Sequence, residues 1–183
     1  MTIRDSNVLL HTRRWVEQFV VAQQLCPFAR REVERDSIRY CVTAVTEPFA
    51  LLDVLRAECQ LLEEDASIET TLIIHPRLLT DFLAYNDFLE SADQLLESLN
   101  LTGVFQIASF HPNYQFAGTS ADDAENYSNR SPYPMLHILR EDSLTRAIDS
   151  YPDIDAVPER NIQRLNTLGA ATLAQQLEAL RSR

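Results

Sequence analysis

TLIIHP at 71–76 and IASFHP at 107–112 are one pattern written twice: an apolar run closed by His-Pro. Four or five apolar residues stopped by a proline read as a short buried strand, because the proline cannot donate to a ladder. Reading outward, ETTLIIH at 69–75 is one strand, and 104–110 after Gly103 is a second. SIRYCVTAVT at 37–46 alternates enough to be a third, and MLHILR at 135–140 a fourth. Phe49, Leu52, Leu55 and Cys59 follow Pro48 at helical spacing, with the proline tolerated in the first turn. Leu79, Phe82, Tyr85, Phe88, Leu89, Leu95, Leu96 and Leu99 predict a long helix to about Asn100. Val8, Trp15, Phe19 and Val20 predict an opening helix over 7–25 that Pro27 stops. Ser143 reads as the cap of a short helix, and 158–168 with 171–180 as one helix interrupted near Gly169, or two.

Strands joined by long helices run parallel, so the first three are expected parallel and the fourth antiparallel to the third. The expected fold is a single α/β domain over residues 1–183 with a mixed, mostly parallel four-strand sheet packed by helices. A ferredoxin-like α+β sheet is the alternative.

Composition narrows the function. The 183 residues carry 27 acidic and 16 basic side chains, a formal net charge of −11. Such a chain lacks the cationic footprint of a nucleic-acid binder and is repelled by anionic membrane surfaces. All 16 basic residues are arginine, so a lysine Schiff base, pyridoxal-phosphate attachment and a P-loop lysine are excluded. The three cysteines, Cys26, Cys41 and Cys59, form no CxxC pair, and an odd count argues against a disulfide framework. No run approaches a membrane span, and no charged-then-apolar leader opens the chain. The expected compartment is the cytoplasm.

The run FHPNYQFAGTSADDAENYSNRSPYPMLHILR at 110–140 concentrates the chemistry. It holds two of the four histidines, three of the six tyrosines and three of the eight prolines. Between His111 and Pro134 it has no Val, Ile or Leu, so it is expected to be an ordered, functional loop. If the sheet is parallel, His75 and His111 sit at its carboxyl edge, where open α/β sheets bind ligands. The start of the fourth strand would bring Arg130, Tyr133 and His137 to the same edge.

His111 then reads as an acid–base residue, against the alternative of a strand-end histidine bonded to backbone. His75 and His137 read as satisfied core histidines and His11 as surface. His111, His137 and His75, with Asp122, Asp123 or Glu125, are the candidates for a divalent metal, although no HxH, HxxxH or HExxH spacing supports one. Arg130, beside Asn129 and braced by Pro132 and Pro134, suits two-point capture of a carboxylate or phosphate; its alternative is a clasp on its own loop. Cys26 is either a small buried side chain or a thiolate nucleophile with a histidine base. Cys41 and Cys59 read as core. In PERN at 158–161 the proline and glutamate are ordinary capping, and Arg160 and Asn161 reach the loop's site if that helix packs beside it.

LCPFA at 25–29, FHPNYQF at 110–116, NRSPYPMLHILRE at 129–141 and PERN at 158–161 together resemble the bacterial family known as domain of unknown function 1415. The likeness runs over almost the whole chain. It implies that Cys26, His111, Asn113, Tyr114, Gln115, Arg130, Tyr133, His137, Arg140, Arg160 and Asn161 belong to that family's signature, and it assigns them no role. The leading expectation is a small enzyme acting on a small anionic molecule. His111 is its acid–base residue, Arg130 holds the anion, Arg140 assists, Tyr114 or Tyr133 donates a hydrogen bond, and Cys26 is the nucleophile. The competing expectation is a non-catalytic ligand- or protein-binding module using the same loop.

Overall fold

The computed structural model describes residues 5–151 and 153–182; residues 1–4, 152 and 183 of the expected domain lie outside them. The chain runs α1 (Asp5–Trp15), α2 (Ala29–Glu34), β1 (Ile38–Val42), α3 (Pro48–Glu64), β2 (Thr70–Ile74), α4 (Phe82–Ser98) and β3 (Phe105–Phe110). It ends with β4 (Met135–Arg140), α5 (Glu141–Ser150), α6 (Val157–Leu168) and α7 (Ala170–Arg181). α1 passes directly into a widened π-helical stretch, Val16–Val21. α4 starts later than its apolar spacing suggests, because Asp81 caps it by accepting the Ala84 N–H at 3.0 Å. α5 starts at Glu141, so Ser143 lies inside it and is not its cap. Gly169, at φ +78°, separates α6 from α7 and makes them two helices. The six-residue α2, ARREVE, was not expected; it has too few apolar positions to show a period.

The sheet order is β1-β2-β4-β3. β1 and β2 pair in parallel, and β4 lies antiparallel between β2 and β3. Three strands therefore point one way, as expected, while only one of the pairings is parallel. The fold is α/β; the ferredoxin-like alternative fails because α4, not a hairpin, joins β2 to β3.

Each face of the sheet carries its own core. Ile73, Leu136, Ile138 and Phe105 pack under α3 and α4. Leu72, Ile74 and Met135 pack under α1, its π-helical extension, α6 and α7. Leu51, Leu55 and Leu62 of α3 are wholly buried, and each such side chain contributes roughly 1.5–3 kcal/mol. Cys59 is buried among them and Cys41 packs against the same core, as expected.

Two polar ties cross these layers. The Tyr85 hydroxyl on α4 donates to the Met135 carbonyl at 2.8 Å and accepts the Phe110 N–H at 3.0 Å, joining the ends of β3 and β4. Arg39 on β1 grips Glu58 of α3 through two hydrogen bonds, at 2.6 and 3.0 Å.

Candidate functional site

The 111–134 loop is ordered, and much of it is spent on holding itself. Ala124, Tyr127 and Tyr133 join the core cluster that includes Leu165 of α6 and Leu173 of α7. At its centre Asn126 is fully buried. Its Oδ1 accepts from the Phe116 N–H (3.0 Å) and the Thr119 hydroxyl (2.9 Å), and its Nδ2 donates to the Ser120 carbonyl (2.8 Å). Sequence reading passed over this residue, since an asparagine in a polar run looks solvated. Asn126→Ala is expected to cost roughly 2 kcal/mol by orphaning buried partners, and to open the loop to limited proteolysis. An unchanged urea midpoint and cleavage pattern would contradict this.

Arg130 takes the clasp alternative. Its Nε donates to the Tyr114 carbonyl at 3.2 Å and its guanidinium also donates to the Ala121 carbonyl at 2.6 Å, while the group lies 4.5 Å over the Tyr127 ring. The neighbouring amides are engaged too: Asn129 Nδ2 donates to the Ser109 carbonyl, and Gln115 Nε2 to the Thr119 carbonyl. Asn113 offers its backbone N–H to His111, and the Tyr114 ring packs on Phe82 and Phe116. The acids form a turn: Asp123 Oδ2 accepts from the Ser120 N–H. Arg140 reaches in the other direction, donating to the carbonyls of Leu62 in the last turn of α3 and of Asp65 and Ile68 in the turn that follows it. Tyr133 bonds His11, with its hydroxyl 2.8 Å from Nδ1, and the Arg181 guanidinium stands over its ring. His11 is therefore buried rather than on the surface.

The histidines separate by face. His111 is fully buried, its Nδ1 accepting from the Asn113 N–H (3.0 Å) and its Nε2–H donating to the Leu79 carbonyl (3.2 Å). Both nitrogens are occupied, so the geometry leaves none for acid–base work; burial holds its pKa below the usual value against those carbonyl contacts. His75 donates Nδ1–H to the Leu78 carbonyl, and its Nε2 is buried without a partner among the described residues. Burial pushes His75 down to about 4. Both rings pack on Tyr85, under α4. His137 pairs in register with Leu72 and Ala108 and so lies on the opposite face. The three-histidine metal set therefore does not assemble, and no other group of three or more His, Cys, Asp or Glu that could hold a metal ion occurs among the described residues.

On that opposite face a cavity of about 470 Å³ lies between the sheet and the helices. Trp15, Val16, Val20, Leu72, Ala108 and Phe110 wall it, α2 and α5 flank it through Ala29, Leu144 and Ala147, and Cys26 lines it together with the charged residues Arg31, Glu32, Glu69, Arg140 and Arg146. One polar pair sits in the sheet face that lines it. The Thr70 hydroxyl has a single hydrogen, which goes to the Ile138 carbonyl at 2.6 Å. Its oxygen must then accept the Nε2–H of His137, also at 2.6 Å. That fixes the tautomer and leaves Nδ1 as a lone-pair acceptor on a cavity-lining side chain. Desolvation pushes His137 down to about 4, so the ring is neutral at physiological pH. Cys26 is exposed at the rim, and desolvation raises its thiol pKa against the N–H groups of Phe28 and Ala29. Cys26 and His111 thus stand on opposite faces of the sheet, which removes that nucleophile–base pair. Sequence reading missed this cavity because its flanking helix α2 has no visible period. No described helix is long and apolar enough to cross a membrane.

The chain belongs to the family described as protein of unknown function (DUF1415), whose model matches residues 7–175. No curated protein and no solved structure matches it.

Proposed function

We propose that this chain binds a small, largely apolar molecule in the cavity beside α2 and α5, with His137 Nδ1 accepting a hydrogen bond from it. The observation that carries this reading is the cavity itself. A volume of about 470 Å³ falls in the range of small-molecule sites, and such sites combine apolar walls with few, well-placed polar groups. The flanking helices support it. Neither α2 nor α5 fully buries any described residue. α5 nevertheless carries Leu144, Ala147 and Ile148 at helical spacing, with Ile148 left 44% exposed. A ligand supplies the packing that these helices lack.

Beside the charged residues that also line the cavity, His137 sets what the ligand meets on the sheet face. A neutral imidazole with Nε2–H already committed is an acceptor, so it favours a hydroxyl or amide N–H over a carboxylate. Desolvation shifts the Cys26 thiol pKa upward, which supports binding over thiolate catalysis. Anion capture by Arg130 is not part of the reading, because that guanidinium already donates to its own loop.

The test is uptake of the neutral fluorescent probe N-phenyl-1-naphthylamine. Wild-type protein is expected to bind it. Ala108→Phe, which fills the cavity from β3, should weaken binding at least about tenfold, or ~1.4 kcal/mol, with unchanged far-UV circular dichroism. No uptake by the wild type, or equal uptake by the variant, would sink the proposal.

A further inference from the structure

Cys26 also lines a second hollow, of about 500 Å³, bounded by the end of the π-helical stretch, the turn before α2, Tyr151 and one face of α6. Its character is opposite to that of the apolar cavity. Arg30, Arg160 and Arg164 line it with Gln24, Asn161 and Thr167, and no Asp or Glu is among its described lining residues. None of the three arginines forms an ion pair among the described residues. Arg164 gives one hydrogen bond to the Gln23 carbonyl at 3.0 Å. Arg160 reaches the Asp153 carbonyl only at 3.5 Å, and Asn161 ties Leu25 to α6 at 2.8 Å. Arg30 has no hydrogen-bond partner among the described residues.

Three guanidinium groups around one hollow repel each other, and in a chain with 27 acidic residues a neutralising carboxylate would have been easy to supply. A net charge of −11 also repels anions at long range, so any anion held here is held by local donors. One carboxylate satisfies one guanidinium fork; three forks suit a multiply charged oxyanion. We infer that this hollow holds a head group of the phosphate or pyrophosphate class, carried by a molecule whose apolar body enters the adjoining cavity past Cys26. The apolar half of this inference rests on the binding function proposed above; the anion half does not.

Calorimetry with inorganic pyrophosphate tests the anion half. Wild-type protein should bind it, and Arg30→Gln combined with Arg160→Gln should weaken binding at least about tenfold. Arg35→Gln, on the same segment but outside the hollow, controls for the lost charge and should change little. Absence of binding, or an equal loss in the control, overturns the inference. Decyl phosphate and decanol then test the joint ligand. Tighter binding of the phosphate, with the advantage abolished by the Arg30/Arg160 change, supports a single molecule spanning both hollows. Equal affinities overturn it. Pyrophosphate binding without uptake of decanol or N-phenyl-1-naphthylamine would remove the apolar site and leave the anion site standing.

Discussion

Acidification from pH 7 to about 4 is expected to destabilise the folded chain by several kcal/mol, with histidines as the main cause. His75 and His137 are each pushed by burial from an ordinary 6.5 down to about 4. The folded state keeps both rings neutral in that window, while the unfolded chain protonates them. Stability is therefore complete above pH 6.5 and falls as the pH drops toward 4. One pKa unit corresponds to about 1.4 kcal/mol, so the two groups together account for at most about 7 kcal/mol. That is a large share of the roughly 5–15 kcal/mol that holds a domain folded. Urea midpoints at pH 7, 5.5 and 4.5 measure the slope, and histidine ring resonances assign it. If either ring titrates near 6.5 in the folded protein, the explanation fails.

Removing Arg39 should be the most damaging single change at a partly exposed position. Its partner Glu58 has a side chain only 8% exposed, whereas Arg39 itself is 39% exposed. Arg39→Ala leaves a carboxylate facing the core under α3 with no cation, at an expected cost of about 3 kcal/mol. The double change Arg39→Met with Glu58→Met should recover most of that loss, since it removes the stranded charge along with its partner. A loss below about 1 kcal/mol in the single variant would mean that water screens the pair almost fully.

The architecture was legible where local pattern is strong. β2 and β3 announced themselves as apolar runs closed by His-Pro, and α3 and α4 through long stretches of 3.6-residue spacing. The site was not legible, for a reason of parity. His75 and His111 continue one face of their strands, while His137 falls on the other because Ile74 pairs with Met135 and not with its neighbour. A one-residue slip in that register would exchange the faces, and nothing local fixes it. The loop misled differently. Arginine, asparagine and tyrosine in a proline-braced run look like donors waiting for a ligand. Here Arg130, Asn126 and Tyr133 find their partners within the chain. The arginine-lined hollow was half visible, through Arg160 and Asn161, but Arg30 sits in the short helix that carried no period.

The position of β4 governs how this molecule comes into being. It is the last strand to be synthesised, yet it takes an inner place in the sheet, between β2 and β3. On an emerging chain β1 has its parallel partner as soon as β2 appears. β3, by contrast, has no neighbour to pair with until the loop from 111 to 134 has been made and has folded back. Two open strand edges wait through that interval, and they are what non-native chains capture. The hydrogen bonds around Asn126 lie in the stretch of chain that must fold back before β4 fills the slot.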